Sequence, residues 1–316
     1  MVKTMLKRKA LRKISITTLS IFILVCVYLI PYNKEDTKPV YSEIEYTTGL
    51  YTNNIYLLNN DNLLVKSKIL LNSNTTKEKV IDIVEALTKN KTNFIPKGLN
   101  SLLNNNVELK DVEIYDDIAH LNFNDELFKT DPDISEKVIE SLVFSITDLK
   151  DINGICIKVN NETIKEFNDI KLPEIITRDF GLNKEYDIKT RDNIDKVVVY
   201  YITNINNKKY YVPVTKYINN NEDKIKIIIK NLTSSYIYEP NLMSMLNQNT
   251  KLLNYELNSD MAILNFSDNI FTKDKNILEE VMYTIGYSIY DNYNIDTVMY
   301  KVNNKEIIKK SIKELE

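Results

Sequence analysis

The chain has 316 residues, 43% of them hydrophobic, which is more than one typical domain needs and enough to bury a sizeable core. Its net charge of −3 hides an asymmetry: Lys3, Lys7, Arg8, Lys9, Arg12 and Lys13 crowd the start without an acid, so the rest carries −9. An acidic body repels polyanions, which argues against nucleic-acid binding, and five glycines leave no Gly-rich phosphate cradle.

Residues 1–13 form the basic tail. Ile14 to Ile30 is an uncharged apolar run of seventeen residues ending at Pro31. That is the short limit for crossing about 30 Å of hydrocarbon at about 1.5 Å per residue. Basic residues before it and mixed charge after it predict a single-pass anchor, with the N-terminus cytoplasmic and the body extracytoplasmic. Two alternatives stay open. Cleavage lacks a small-x-small site after the run, and lipidation at Cys26 lacks a small residue before it, since Val25 stands there. Cys26 and Cys156 are the only cysteines, too separated in context for a disulfide framework.

After a linker at 31–50, Ile55 to Leu71 has the pattern of a strand pair. Thr75-x-x-Glu78 is a capping box opening a helix with Val80, Val84 and Leu87 on one face. Val107–Tyr115 and Ile118–Phe123 alternate as a hairpin turning at Asp116-Asp117. Asp131-Pro132 caps a second helix whose stripe is Ile134, Val138, Leu142 and Ile146. A strand from Ile155 to Val159 ends in an Asn-Asn turn, because Asn tolerates positive φ. A charged connector with Pro173 and Gly181 follows.

The same series then returns. Asp117–Asp125 (DIAHLNFND) reappears 143 residues later as Asp260–Asp268 (DMAILNFSD), and Lys158–Asn161 as Lys301–Asn304. Phe128 matches Phe271, and Pro96 matches Pro240 within one residue. The second stripe is Ile277, Val281, Ile285 and Ile289. Lys196 to Ile218 is the matching strand pair, and Asn219-x-x-Glu222 is the expected cap of a helix carrying Ile225, Ile229 and Leu232. A period this long means tandem domains. The expected organisation is one domain at 51–166, a connector at 167–195, a second domain at 196–310 and a tail at 311–316. The fold class is α/β (α+β): two tandem copies of a mixed sheet with two helices, in the order ββ-α-ββ-α-ββ.

The recurring residues Ala119, Leu121, Asn122, Phe123 and Asp125, with Ala262, Leu264, Asn265, Phe266 and Asp268, resemble the GerMN-domain family in its tandem arrangement. Each unit is followed by a helix and then by Ile155–Asn161 or Val298–Asn304. The likeness covers nearly all of residues 50–310. The family usually places a glycine in the last turn, where this chain has Asn-Asn, and the lipobox common among its lipoprotein members is poor here. The resemblance implies an envelope protein of spore-forming bacteria that acts in spore formation or germination, supporting a complex between the mother-cell and forespore membranes. Protein partners in the envelope follow from it, with the body in the intermembrane space.

The chemistry-bearing residues point away from catalysis. His120 is the only histidine, its strand register faces away from Ala119, Leu121 and Phe123, and its match in the other copy is Ile263. Cys156 matches Met299 in a buried strand and acts as a small hydrophobe. Asp125 and Asp268, with Asn122 and Asn265, offer oxygen ligands for a weak Ca²⁺ site, but Asx residues ending a strand more often cap or turn the backbone. Tyr200, Tyr201, Tyr210 and Tyr211 suit cross-strand packing or an interface. No cofactor or metal is expected and no small-molecule ligand can be named. The leading expectation is a non-catalytic assembly protein. A cell-wall enzyme or its helper would need a cleft with converging acids. A receptor for a small germinant or glycan would need an aromatic pocket in one copy that its duplicate lacks.

Overall fold

The computed structural model describes residues 18–19, 51–91, 95–219, 222–234 and 241–312. Gly49–Glu316 is one compact unit, and Met1–Thr48 is another, of which only the exposed Thr18 and Leu19 are described. Apart from those two residues the expected anchor at 14–30, Cys26 included, lies outside the described residues, as does Pro240. Among the described residues no helix is long and apolar enough to cross a membrane.

The first copy begins with a hairpin of β1 (Tyr51–Asn59) and β2 (Leu64–Leu71), then helix α1 (Thr76–Leu87). The capping box is present: the Thr75 hydroxyl accepts from Glu78 N, and the Glu78 side chain returns to the Thr75 backbone. A short β3 (Leu99–Asn100) adds to the far edge of β1. Next come β4 (Leu109–Tyr115), β5 (Ile118–Phe123), α2 (Ser135–Ile146), β6 (Gly154–Val159) and β7 (Glu162–Thr163). β4 to β7 form a four-stranded sheet in chain order, with β5 and β6 parallel. A parallel pair needs a crossover, and α2 supplies it.

Between the copies lie β8 (Glu166–Phe167), β9 (Ile170–Lys171) and β10 (Glu185–Asp187). The second copy repeats the order: β11 (Asp195–Ile205), β12 (Lys208–Ile218), α3 (Lys224–Thr233), β13 (Leu252–Leu257), β14 (Ala262–Phe266), α4 (Glu279–Tyr293), β15 (Thr297–Val302) and β16 (Lys305–Ser311). The ββ-α-ββ-α-ββ series holds in both.

Turn chemistry explains the tight hairpins. Asp116-Asp117, Asn160-Asn161, Asn206-Asn207 and Asn303-Asn304 all have positive φ at both positions, the geometry of two-residue turns whose twist matches the strands. The helix stripes are buried as expected: Val138, Leu142 and Ile146 are at most 1% exposed, and Val281, Ile285 and Ile289 at most 2%. Each such side chain contributes about 2 kcal/mol. Ile134 and Ile277 precede their α-helices, Ile134 sitting in a 3-10 turn that Asp131 caps through Asp133 N.

Two expectations need correction. Asn219 does not cap α3: the N-cap is Asp223, and the Asn219 Oδ1 accepts from Lys189 N (2.6 Å) and Thr190 N (2.9 Å). An Asn engaged by a neighbouring loop is not available to a helix end. The charged stretch 167–195 is also no bare connector. Phe167, Leu172, Ile176 and Leu182 are buried, and β10 runs parallel to β12.

The two copies share one sheet. β12 pairs with β2 antiparallel at Tyr211 and Lys66, so β3, β1, β2, β12 and β11 are continuous and β10 flanks β12. One large core of buried side chains runs through both copies, and Val198, Tyr200, Tyr287 and Ile312 form a second, smaller cluster.

Candidate functional site

The repeated motif is architectural. Ala119, Leu121 and Phe123, like Ala262, Leu264 and Phe266, are fully buried. Asn122 and Asn265 clamp the Asn-Asn turns identically. The Asn122 Oδ1 accepts from Asn161 N (2.9 Å) and its Nδ2 donates to Asn161 Oδ1 (2.6 Å). Asn265 repeats this with Asn304 at 2.9 and 2.8 Å. Asp125 and Asp268 each begin a 3-10 turn, and Asp268 accepts from Asn303 Nδ2 (2.8 Å). Among the described residues no three His, Cys, Asp or Glu side chains gather as ion ligands.

His120 lies partly exposed on the face away from the core, its ring stacked on Tyr115 with centroids 3.8 Å apart. Partial burial, then Lys158, holds its pKa below the ordinary 6.5. Cys156 is buried, its Sγ 3.7 Å from Thr163 Oγ1. The two are register partners on neighbouring strands, but their side-chain bonds go elsewhere, His120 Nδ1 to Tyr115 Oη (3.0 Å) and Cys156 Sγ to Thr163 Oγ1.

Two of the tyrosines of β11 and β12 stack on α4. Tyr200 stacks on Tyr287 (5.2 Å) and Tyr211 on Tyr283 (4.9 Å), while Lys66 Nζ sits 3.6 Å over the Tyr287 ring. Tyr201 is buried in the core and Tyr210 packs partly buried at its edge.

What the sequence patterns missed is the junction itself. Its centre is Arg178, from the stretch between the copies. The guanidinium reaches Asp148 (3.5 Å) and Asp291 (3.3 Å), and donates to Thr147 Oγ1 (3.0 Å). Asp148 and Asp291 are 143 residues apart, so they are matching residues of the two copies. Tyr56 and Tyr200, 144 residues apart, match through their bonds, each donating its backbone N–H to a helix serine, Ser145 (3.0 Å) or Ser288 (2.9 Å), themselves 143 residues apart. Tyr200 Oη donates to Asp291 at 2.7 Å. Arg178 thus stands at a local two-fold relation, bonded to one carboxylate from each copy. The repeat spacing of the aspartates was the available signal.

Burial opposes the Arg178 charge, but the carboxylates of Asp291 and Asp148 outweigh it and hold the guanidinium protonated. Burial first, then Asp291, pushes the Tyr200 phenol far up, and burial does the same for Tyr56. These hydroxyls stay neutral, so they serve as hydrogen-bonding groups and not as bases. The crevice above Arg178 has a volume of about 1090 Å³ and takes walls from both copies, among them Lys68, Asp260 and Tyr290.

A second polar cluster closes the seam. Two residues past the Tyr211–Lys66 pair, continuing the antiparallel register would set Leu64 against Pro213, which has no N–H to donate. The side chain of Asn183 fills the gap: its Oδ1 accepts from Leu64 N (2.9 Å), and its Nδ2 donates to the Leu64 and Pro213 carbonyls (2.8 Å each). Asn183 N donates to the buried Glu140, which also pairs with Lys137 (3.1 Å). Burial raises the Glu140 pKa, and Lys137 and Lys184 oppose it.

This is the architecture of a tandem domain pair fused through its hairpins, and the family comparison agrees. A family described as Germane, sporulation and spore germination, matches residues 54–165 and 198–308, most of the chain; the chain belongs to that family. Over 225 residues it is 25% identical to the spore germination protein GerM of Bacillus subtilis (strain 168). That alignment takes in 67% of this chain and 60% of the relative, under two thirds of its length. The tandem GerMN domains of the sporulation protein GerM from Bacillus subtilis share the fold. Their TM-score is 0.74 at 23% identity, covering 81% of this chain and 92% of that one.

Proposed function

We propose that this chain acts in spore formation or germination as a non-catalytic, membrane-anchored platform that supports an envelope complex through its tandem domains. The anchor is the apolar run at 14–30 and the body is extracytoplasmic, between the mother-cell and forespore membranes. The observation that carries the reading is the junction: its strongest charges, Arg178, Asp148 and Asp291, are spent on joining the copies into one body. A surface made rigid in this way suits docking, where loose domains would lose affinity to ordering.

Complementation of a deletion strain tests it. Full-length His120→Ile and Tyr200→Phe chains should restore spore yield and germination to the wild-type level. Loss of either with the variant folded at normal abundance would favour the cell-wall enzyme instead. The receptor reading keeps one observation in its favour. Tyr283 and Tyr287 of the second copy match Glu140 and Phe144 of the first, so the groove they wall together with Ser67 and Lys68 carries a tyrosine pair that the matching helix positions of the first copy lack.

A further inference from the structure

The local two-fold relation makes a second comparison possible, between the two grooves that flank the seam. On one flank, the stretch Leu182–Asp187 lies along β12. Thr215 N donates to the Leu182 carbonyl (2.9 Å), Glu185 to Asp187 pair parallel with Lys216 to Ile218, and Tyr186 stacks on Tyr217 (5.1 Å). The N-terminal part of α2 walls this flank through Glu136 and Glu140, with Lys184 Nζ 2.7 Å from Glu136.

The other flank is built from the matching residues. Thr52 and Lys196 correspond at the 144-residue offset of Tyr56 and Tyr200, and they pair with Leu70 and Tyr217, so Ser67–Leu71 of β2 matches Val214–Ile218 of β12. Glu279 matches Glu136, and Tyr283 and Tyr287 replace Glu140 and Phe144. Between them lies a groove of about 410 Å³ walled by Ser67, Lys68, Tyr211, Glu279 and Tyr283. Leu70, the match of the stacked Tyr217, is 61% exposed.

We infer that this groove binds an extended segment of a partner protein, added as a parallel strand alongside β2. The segment carries a basic residue to meet Glu279 and, two residues on, an aromatic ring to cover Leu70, as Lys184 and Tyr186 do on the occupied flank. Strand addition draws affinity from main-chain bonds and specificity from alternate side chains. The inference deepens the platform reading by naming a surface and the chemistry of its partner.

The probe is a synthetic peptide with the sequence of Gly181–Asp187, titrated into the purified full chain. Binding should slow amide exchange at Ser67–Leu71. It should weaken about tenfold in Leu70→Asp, a surface change that leaves the fold intact, and likewise in Glu279→Lys. A peptide with glutamate in place of its lysine should bind Glu279→Lys better than the wild type. No binding at millimolar peptide, or binding unchanged by both variants, overturns the inference and leaves the platform reading standing. Concentration-dependent self-association abolished by Leu70→Asp overturns it in favour of a second copy as the occupant.

Discussion

At the scale of single residues, the duplication supplies an internal control for each candidate. His120 occupies the position that isoleucine holds at 263, and its ring is stacked on Tyr115, to whose hydroxyl its Nδ1 bonds. His120→Ile should leave the fold unchanged. It should also alter a pH dependence whose sign is fixed. The folded pKa lies below 6.5, so the unfolded chain binds the proton more readily, and this stability is present above 6.5 and lost as pH falls through the lowered value. Denaturant titrations across that window should show the slope in the wild type and a flatter curve in the variant. Asn122 and Asn265 are the converse case, preserved in both copies because each satisfies a turn. Asn265→Ala should cost about 1–2 kcal/mol by leaving Asn304 N–H and its side chain without their partner. A loss well under half a kilocalorie in chemical denaturation would contradict the clamp. The motif letters were legible because their bonds depend on local register, repeated at fixed spacing.

At the scale of elements, helices and hairpins followed from periodicity and turn residues, since each buries a face that its own pattern defines. Two features did not. The cap at Asn219 failed because the Asn is held by Lys189 and Thr190, thirty and twenty-nine residues back. The connector failed on a larger scale: its role is set by Asn183, whose strand partner Leu64 lies 119 residues away. No window of sequence holds both. Asn183→Ala should cost about 2–4 kcal/mol, because a buried N–H and two carbonyls lose their partner at once. The φ of Asn183 is positive at 49°, so Asn183→Gly separates backbone strain from bonding. Both variants should be destabilised if the bonds matter, and only Ala if strain does; calorimetry decides between them.

At the scale of the whole molecule, shared sheet, shared core and Arg178 make the copies one cooperative body. Arg178→Met should cost about 3 kcal/mol, since it leaves two carboxylates facing one crevice without their cation, and Asp291 is nearly inaccessible to water. Adding Asp148→Asn and Asp291→Asn to that variant should recover part of the loss. Wild type should unfold in one transition by fluorescence and circular dichroism alike, whereas two separated transitions would mean the copies are independent. The central claim is that this body works by holding partners in the envelope. Chemical crosslinking of the tagged full-length chain in sporulating cells, followed by identification of captured proteins, tests it most directly. The account predicts capture of one or more envelope proteins, retained in His120→Ile. Capture of none, together with peptidoglycan hydrolysis by the purified chain, would contradict it.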